Sequence, residues 1–187
     1  EAAPGAQFIY SNANYGLAAA IVEHACGTNY AEFVRTELFG RARLRNTGQF
    51  PSVRQPRVAP LSGERPPRLD QLQWWQAYYS TTHDLYRWRQ ALWSDRIISA
   101  SARETLLTPV VAIQEGQAAL GWFIGHTERG ALRTFVRGND DTGQNSLIYY
   151  YPQTDTTIIV LTHAGDKDDD TSWSRAMLAS LESALGL

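Results

Sequence analysis

Beyond Pro109 the chain changes its period, and that change limits the fold more than any other feature. Segments 120–125, 131–137, 146–151 and 156–162 are rich in β-branched and aromatic residues, the composition of half-buried strands. The stretches between them are turns: Glu128-Arg129-Gly130, then 139–143, then 152–155. Connections this short join antiparallel neighbours only, because a parallel pair needs a crossover of a dozen or more residues. One amphipathic helix follows, with Trp173, Ala176, Met177, Ser180, Leu181 and Ala184 expected on its buried face and the acidic run 168–170 at the end where the helix dipole favours negative charge.

The first half reads as helices. Tyr15, Ala18, Ala19, Val22 and Ala25 recur at helical spacing before a stop at Gly27. Asn29 with Glu32 gives a capping-box signal for a second helix with the stripe Tyr30, Phe33, Val34 and Leu38, ending at Gly40. Thr81 and Asp84 open a third with the face Leu85, Trp88 and Leu92, and Ser101 and Glu104 open a fourth that Pro109 stops. Between the pairs, 51–68 holds five of the eight prolines and four arginines, so it can be neither helix nor central strand. It reads as a long surface excursion, with a disordered linker between domains as the competing reading. The expected fold class is α+β: a mainly helical part, 1–116, then antiparallel strands and a covering helix, 117–187, both in one domain.

Composition removes several function classes. At 187 residues and 43% apolar the chain can bury a core without staples, and the single Cys26 offers no internal disulfide. A net charge of −2 lacks the strongly basic balance of a nucleic-acid binder. No apolar run approaches the roughly 20 residues of a transmembrane helix. Sixteen of the 17 basic residues are arginine, and Lys167, the one lysine, lies in the acidic run 166–170, where a depressed pKa is not expected. His24, His83, His126 and His163 share no metal-ligand spacing, so no metal or cofactor is indicated. The chain opens at Glu1 without an initiator Met or a signal pattern and is expected to be a mature product or a fragment.

Four blocks carry a resemblance over essentially the whole chain. They are the run from Phe8 through Tyr10-Ser11-Asn12 to Gly16-Leu17, continuing to Gly40 and Thr47-Gly48; Ser80-Thr81-Thr82-His83-Asp84-Leu85 at a helix start; Leu120-Gly121-Trp122 opening the sheet; and the last strand, 158–163. In this order they resemble the serine β-lactamase and penicillin-binding protein family, above all its class C branch with D-alanyl-D-alanine carboxypeptidases and esterases. The resemblance implies a β-lactamase/transpeptidase-like fold and acyl transfer or hydrolysis of an amide, ester or β-lactam through an acyl-enzyme.

In that family the serine of a Ser-x-x-Lys motif attacks a carbonyl, and a Tyr-x-Asn motif shares proton transfer and holds the substrate amide. Tyr10 and Asn12 match the second motif, as general acid/base and substrate holder. A phenol with an ordinary pKa near 10 needs positive charge beside it to act as a base at neutral pH. The competing reading makes Tyr10 a half-buried aromatic leading into a helix that Asn12 caps. The first motif is absent, since a Ser-x-x-Lys ending at Lys167 would need serine where Ala164 stands. The chain is therefore expected to be the C-terminal portion of a larger catalytic domain, inactive alone, with the nucleophile helix and first strands supplied by an upstream segment or a second chain. The third motif, a Lys or His, a small residue and a glycine, falls on Arg137-Gly138-Asn139. Arg137 would anchor a substrate carboxylate, and the backbone of Asn139 and Asp140 would line the substrate, the Asp140 amide as second oxyanion donor. Asn139 in place of glycine, with Asp140 and Asp141 beside it, is a departure that weighs against β-lactam hydrolysis. The motif-like His126-Thr127 belongs to the preceding turn and is set aside as a decoy.

A catalytically inactive binding or scaffold protein is the alternative function. The substrate would be a small molecule or peptide carrying a β-lactam, a D-amino acid or an ester, with no nucleic-acid partner, and the family implies a periplasmic or secreted location.

Overall fold

Six antiparallel strands in simple sequential order make up the sheet of the computed structural model: β3 (Val111–Ile113), β4 (Gly116–Ala118), β5 (Phe123–His126), β6 (Leu132–Asn139), β7 (Asn145–Tyr151) and β8 (Thr156–Thr162). Before them come α1 (Ala13–Cys26), α2 (Tyr30–Phe33) running on as a π-helical stretch Val34–Gly40, the strand pair β1 (Gly48–Gln49) and β2 (Tyr78–Tyr79), α3 (Thr82–Trp93) and α4 (Ala100–Leu107). Helix α5 (Ser172–Leu185) closes the chain. The structure describes residues 3, 5–49, 78–139, 144–162 and 172–187, with the side chains of α5 from Ser174 on. The excursion 51–68, Asp140 and the acidic run 168–170 lie outside these residues. The described chain divides into two compact units, one of residues 9–49 and 78–103, the other of the residues up to 8 together with 104–187.

In the sheet unit, the four expected strands form within a few residues of their anticipated limits, and β3 and β4 are additional. Each of these two is only three residues long, too short for an alternating pattern to show. Their hairpin depends on glycine: Gly116 has φ +139°, and a Cβ there would stand 2.1 Å from the Ile124 carbonyl oxygen.

Alternation along β6 and β7 sends Phe135, Leu147, Tyr149 and Tyr151 to the face that α5 covers, where they form a core with Ile158, Leu178 and Leu187. In register, Phe123, Phe135 and Tyr149 stand side by side across three strands. The Phe135 and Tyr149 rings stack with centroids 4.7 Å apart.

The buried face of α5 is not the expected one. Ser174, Leu178 and Glu182 point inward, while Met177 and Leu181 are exposed. The sheet dictates this choice, because Arg133 rises from it among aromatic rings, 5.3 Å from the Tyr149 centroid, and requires a carboxylate. Glu182 supplies it at 2.5 Å and also accepts the Tyr151 hydroxyl at 2.5 Å. Burial followed by the Glu182 carboxylate pushes the Tyr151 hydroxyl far up, so that it remains a donor.

In the helical unit, α1 ends as expected at Gly27 in the left-handed region, φ 65°. Asn29 caps α2 by accepting from the Ala31 amide. The Tyr30 amide is taken by Glu23 at 2.8 Å, while Glu32, expected to close a capping box, pairs with Arg35 instead. The helical run passes through Gly40 and stops at Arg43, φ 58°. Asp84 in the first turn of α3 is fully buried and accepts from the Asn46 amide at 2.6 Å, Thr47 Oγ1 at 3.0 Å and Arg87 Nη1 at 2.8 Å. This ties the segment before β1 to α3. Burial alone would raise the Asp84 pKa, but the donors outweigh it and hold the carboxyl below its ordinary value of 3.8.

Two tests of stability follow from these networks. Replacing Glu182 by alanine leaves the Arg133 charge and the Tyr151 hydroxyl without a partner, at a cost of about 3–5 kcal/mol in urea unfolding, against roughly 1 kcal/mol for Tyr151→Phe. Since folding lowers the Asp84 pKa, its contribution is fully present above the unfolded value of about 3.9 and fades as the pH falls through the folded value. The stability difference between wild type and Asp84→Asn should therefore be largest near neutral pH and shrink as the pH falls below the unfolded value of about 3.9.

Candidate functional site

The Tyr-x-Asn residues lie immediately before α1, in the helical unit. The Tyr10 side chain is 65% exposed and its hydroxyl donates to Asn12 Oδ1 at 2.9 Å. Asn12 occupies the N-cap position with helical dihedrals, φ −62° and ψ −29°, and its side chain makes no capping bond. A capping asparagine would instead have extended dihedrals and accept from the helix amides, as Asn29 does. The phenol and the amide thus engage each other at the surface. In this arrangement Asn12 Oδ1 accepts the phenol's hydrogen. Partial burial of the half-exposed Tyr15 ring, then the neighbouring Tyr10, raise its pKa and keep that second phenol protonated.

Arg137, in the sheet unit, is on the strand face that α5 covers. Its Nη1 donates to Glu115 Oε2 at 2.8 Å, and its guanidinium lies 5.8 Å from the Phe135 ring centroid. The other oxygen of Glu115 is held by Arg175 of α5 at 2.9 Å. These groups line an open cleft of about 350 Å³ between the sheet and α5, which also takes in Arg133, Tyr149 and Glu182. Asn139 ends β6, exposed, paired in register with Asn145. Asp140 lies outside the described residues. Tyr10 and Asn12 belong to the helical unit, and Arg137 and Asn139 to the sheet unit.

The decoy motif behaves as a turn: Thr127 is buried and its Oγ1 accepts from the Ala131 amide at 3.1 Å. Cys26 is a free, exposed thiol. Glu115 had no signal in the sequence, because it sits in a hairpin formed by two three-residue strands. Among the described residues no group of His, Cys, Asp and Glu is arranged to hold a metal ion, and no helix is long and apolar enough to cross a membrane.

The chain is similar to known proteins along its whole length. It is 28% identical over 207 residues to penicillin-binding protein 4* of Bacillus subtilis (strain 168), a match spanning 97% of this chain and 45% of that protein. The structure of a penicillin-binding protein from Bacillus halodurans superposes with a TM-score of 0.79 at 22% identity, over 98% of this chain and 57% of that one. A D-amino acid amidase from Ochrobactrum anthropi SV3, complexed with D-phenylalanine, gives 0.76 at 18% identity, over 97% of this chain and 59% of that one. The chain thus spans less than two thirds of the length of each of these relatives, and the structural matches establish the fold. The Beta-lactamase family itself matches residues 1–182, and with that match, in a fold shared with penicillin-binding proteins, the chain belongs to the beta-lactamase family.

Proposed function

We propose that the chain is the C-terminal part of a penicillin-recognising serine hydrolase that works through an acyl-enzyme. Tyr10 acts as general acid/base, Asn12 holds the substrate amide and Arg137 anchors a substrate carboxylate, with the backbone of Asn139 and Asp140 along the substrate. The serine nucleophile and its lysine come from a preceding segment. In the acylation step the serine oxygen bonds to the substrate carbonyl carbon, its proton passes to the Tyr10 oxygen, and the same proton goes on to the leaving nitrogen or oxygen as the bond to the carbonyl breaks. The lysine's charge beside the phenol would make the phenolate accessible at neutral pH.

One observation carries this reading: Asn12 gives up the cap position's usual bond and pairs with an exposed Tyr10. A purely structural motif would bury the ring and cap the helix. A preceding segment is supported by the outer edge of β8, which no described strand covers, and by the apolar side chains of Tyr15, Leu17 and Ile21, all exposed on α1. The likeness to penicillin-binding proteins and to a D-amino acid amidase supports a β-lactam or a D-amino-acid amide as the substrate, and the family's usual setting supports a location outside the cytoplasm.

The alternative, a binding protein without turnover, draws on the Glu115 carboxylate that already occupies Arg137 and on the lack of a Ser-x-x-Lys within these 187 residues. The two readings separate on the protein at its full encoded length. For the enzyme, Tyr10→Phe should slow acylation by a chromogenic β-lactam or activated ester by roughly 10²-fold or more. Asn12→Ala should slow it as well while shifting the unfolding free energy by less than about 0.5 kcal/mol, since no cap bond is lost. Acylation rates that are indifferent to both substitutions would refute the assignment.

A further inference from the structure

The cleft beneath α5 contains a carboxylate socket that the protein fills with its own side chain. Glu115 divides its two oxygens between Arg137 Nη1 at 2.8 Å and Arg175 Nη2 at 2.9 Å. Two guanidinium groups thus each give one charge-assisted contact to one carboxylate, one to each oxygen.

The placement of Glu115 is closely determined. Gly116, which follows it, has φ +139° and no room for a Cβ, and a Cβ on Gly125 would stand 2.8 Å from the Glu115 carbonyl oxygen. Two positions that exclude side chains therefore hold the hairpin tip against β5, and this delivers Glu115 to the arginines. Arg137 does not depend on Glu115 alone for its position. Its strand fixes the backbone, and the Phe135 ring lies 5.8 Å from the guanidinium carbon.

We propose that Glu115 is a specificity-determining positioning residue: it competes with a ligand's carboxylate for Arg137 and Arg175, so that only a carboxylate able to displace it is admitted. This rests on the reading of Arg137 as an anion anchor. Two effects of removing the Glu115 charge oppose each other, loss of a contact that orients Arg137 and loss of a competitor for it. The competitor term wins, because the stem of Arg137 is fixed independently while the ion pair is only partly exposed, 28% and 23% for the two side chains.

The test is equilibrium binding by calorimetry of N-acetyl-D-alanine, and of its uncharged amide, to the full-length protein and its variants. Glu115→Gln should bind the carboxylate on the order of 5-fold more tightly, with the amide unchanged. Glu115→Asp keeps the competing charge and should behave as wild type, and Glu115→Ala, which also removes the charge, should tighten carboxylate binding in the same way if the glutamine variant folds poorly. Arg137→Gln should lose the preference for carboxylate over amide. If substrate turnover is followed as well, the Glu115→Gln effect should fall on KM and leave kcat unchanged, which a merely structural role would not do. Carboxylate binding that is equal or weaker in Glu115→Gln, with the preference still lost in Arg137→Gln, overturns the competition and leaves the anchor standing. A preference untouched by Arg137→Gln overturns both.

Discussion

The ion pair between Arg133 and Glu182 is the interaction on which the sheet unit depends. Arg133 has to emerge among aromatic rings because it lies two residues from Phe135 on β6 and so shares its face, and an arginine cannot shed its charge there. Only a carboxylate from the covering helix meets that need, so Glu182 fixes both the rotation of α5 about its axis and its place along the strands. Once α5 is set in this way, Leu178 closes the core over Phe135 and Tyr149, and Arg175, seven residues before Glu182 and therefore about two turns away on a neighbouring line of the helix, comes to the end of the cleft where Glu115 and Arg137 meet.

Asp84 plays the corresponding part in the helical unit. A buried carboxylate with three donors converts the start of α3 into an anchor for the segment that leads into β1. Because these donors stabilise the charged form, the anchor is strongest at neutral pH. In both units a single carboxylate satisfied by partners distant in sequence, 38 residues away for Asn46 and 49 for Arg133, holds the elements in place.

The local rules were legible wherever a pattern ran long enough. The four strands from β5 to β8, the stop at Gly27 and the caps at Asn29 and Thr81 were written in alternation and in turn residues. The short β3 and β4 were not, and with them Glu115 was missed, since three residues carry no period. The face of α5 was misread for a different reason. Hydrophobicity alone favoured Met177 and Leu181, whereas the buried charge of Arg133 called for Glu182, and a cross-element ion pair has no signature in a helical stripe. For the candidate site, Tyr10 and Asn12 were visible as a motif, but only coordinates could show that Asn12 bonds to the phenol and does not cap the helix. Arg137 was legible as the first position of the third motif. Its engagement with Glu115 and Arg175 depends on a hairpin and a helix that the motif does not encode.

The central claim is that Tyr10 and Asn12 serve an acyl-enzyme reaction whose nucleophile lies outside these 187 residues. The most direct measurement is the intact mass of the full-length protein after incubation with benzylpenicillin, before and after proteolytic mapping. The account predicts a mass increase equal to one penicillin, carried by a serine that precedes residue 1 of this chain. An unmodified mass after prolonged incubation, or an adduct on a residue within the chain itself, would contradict it.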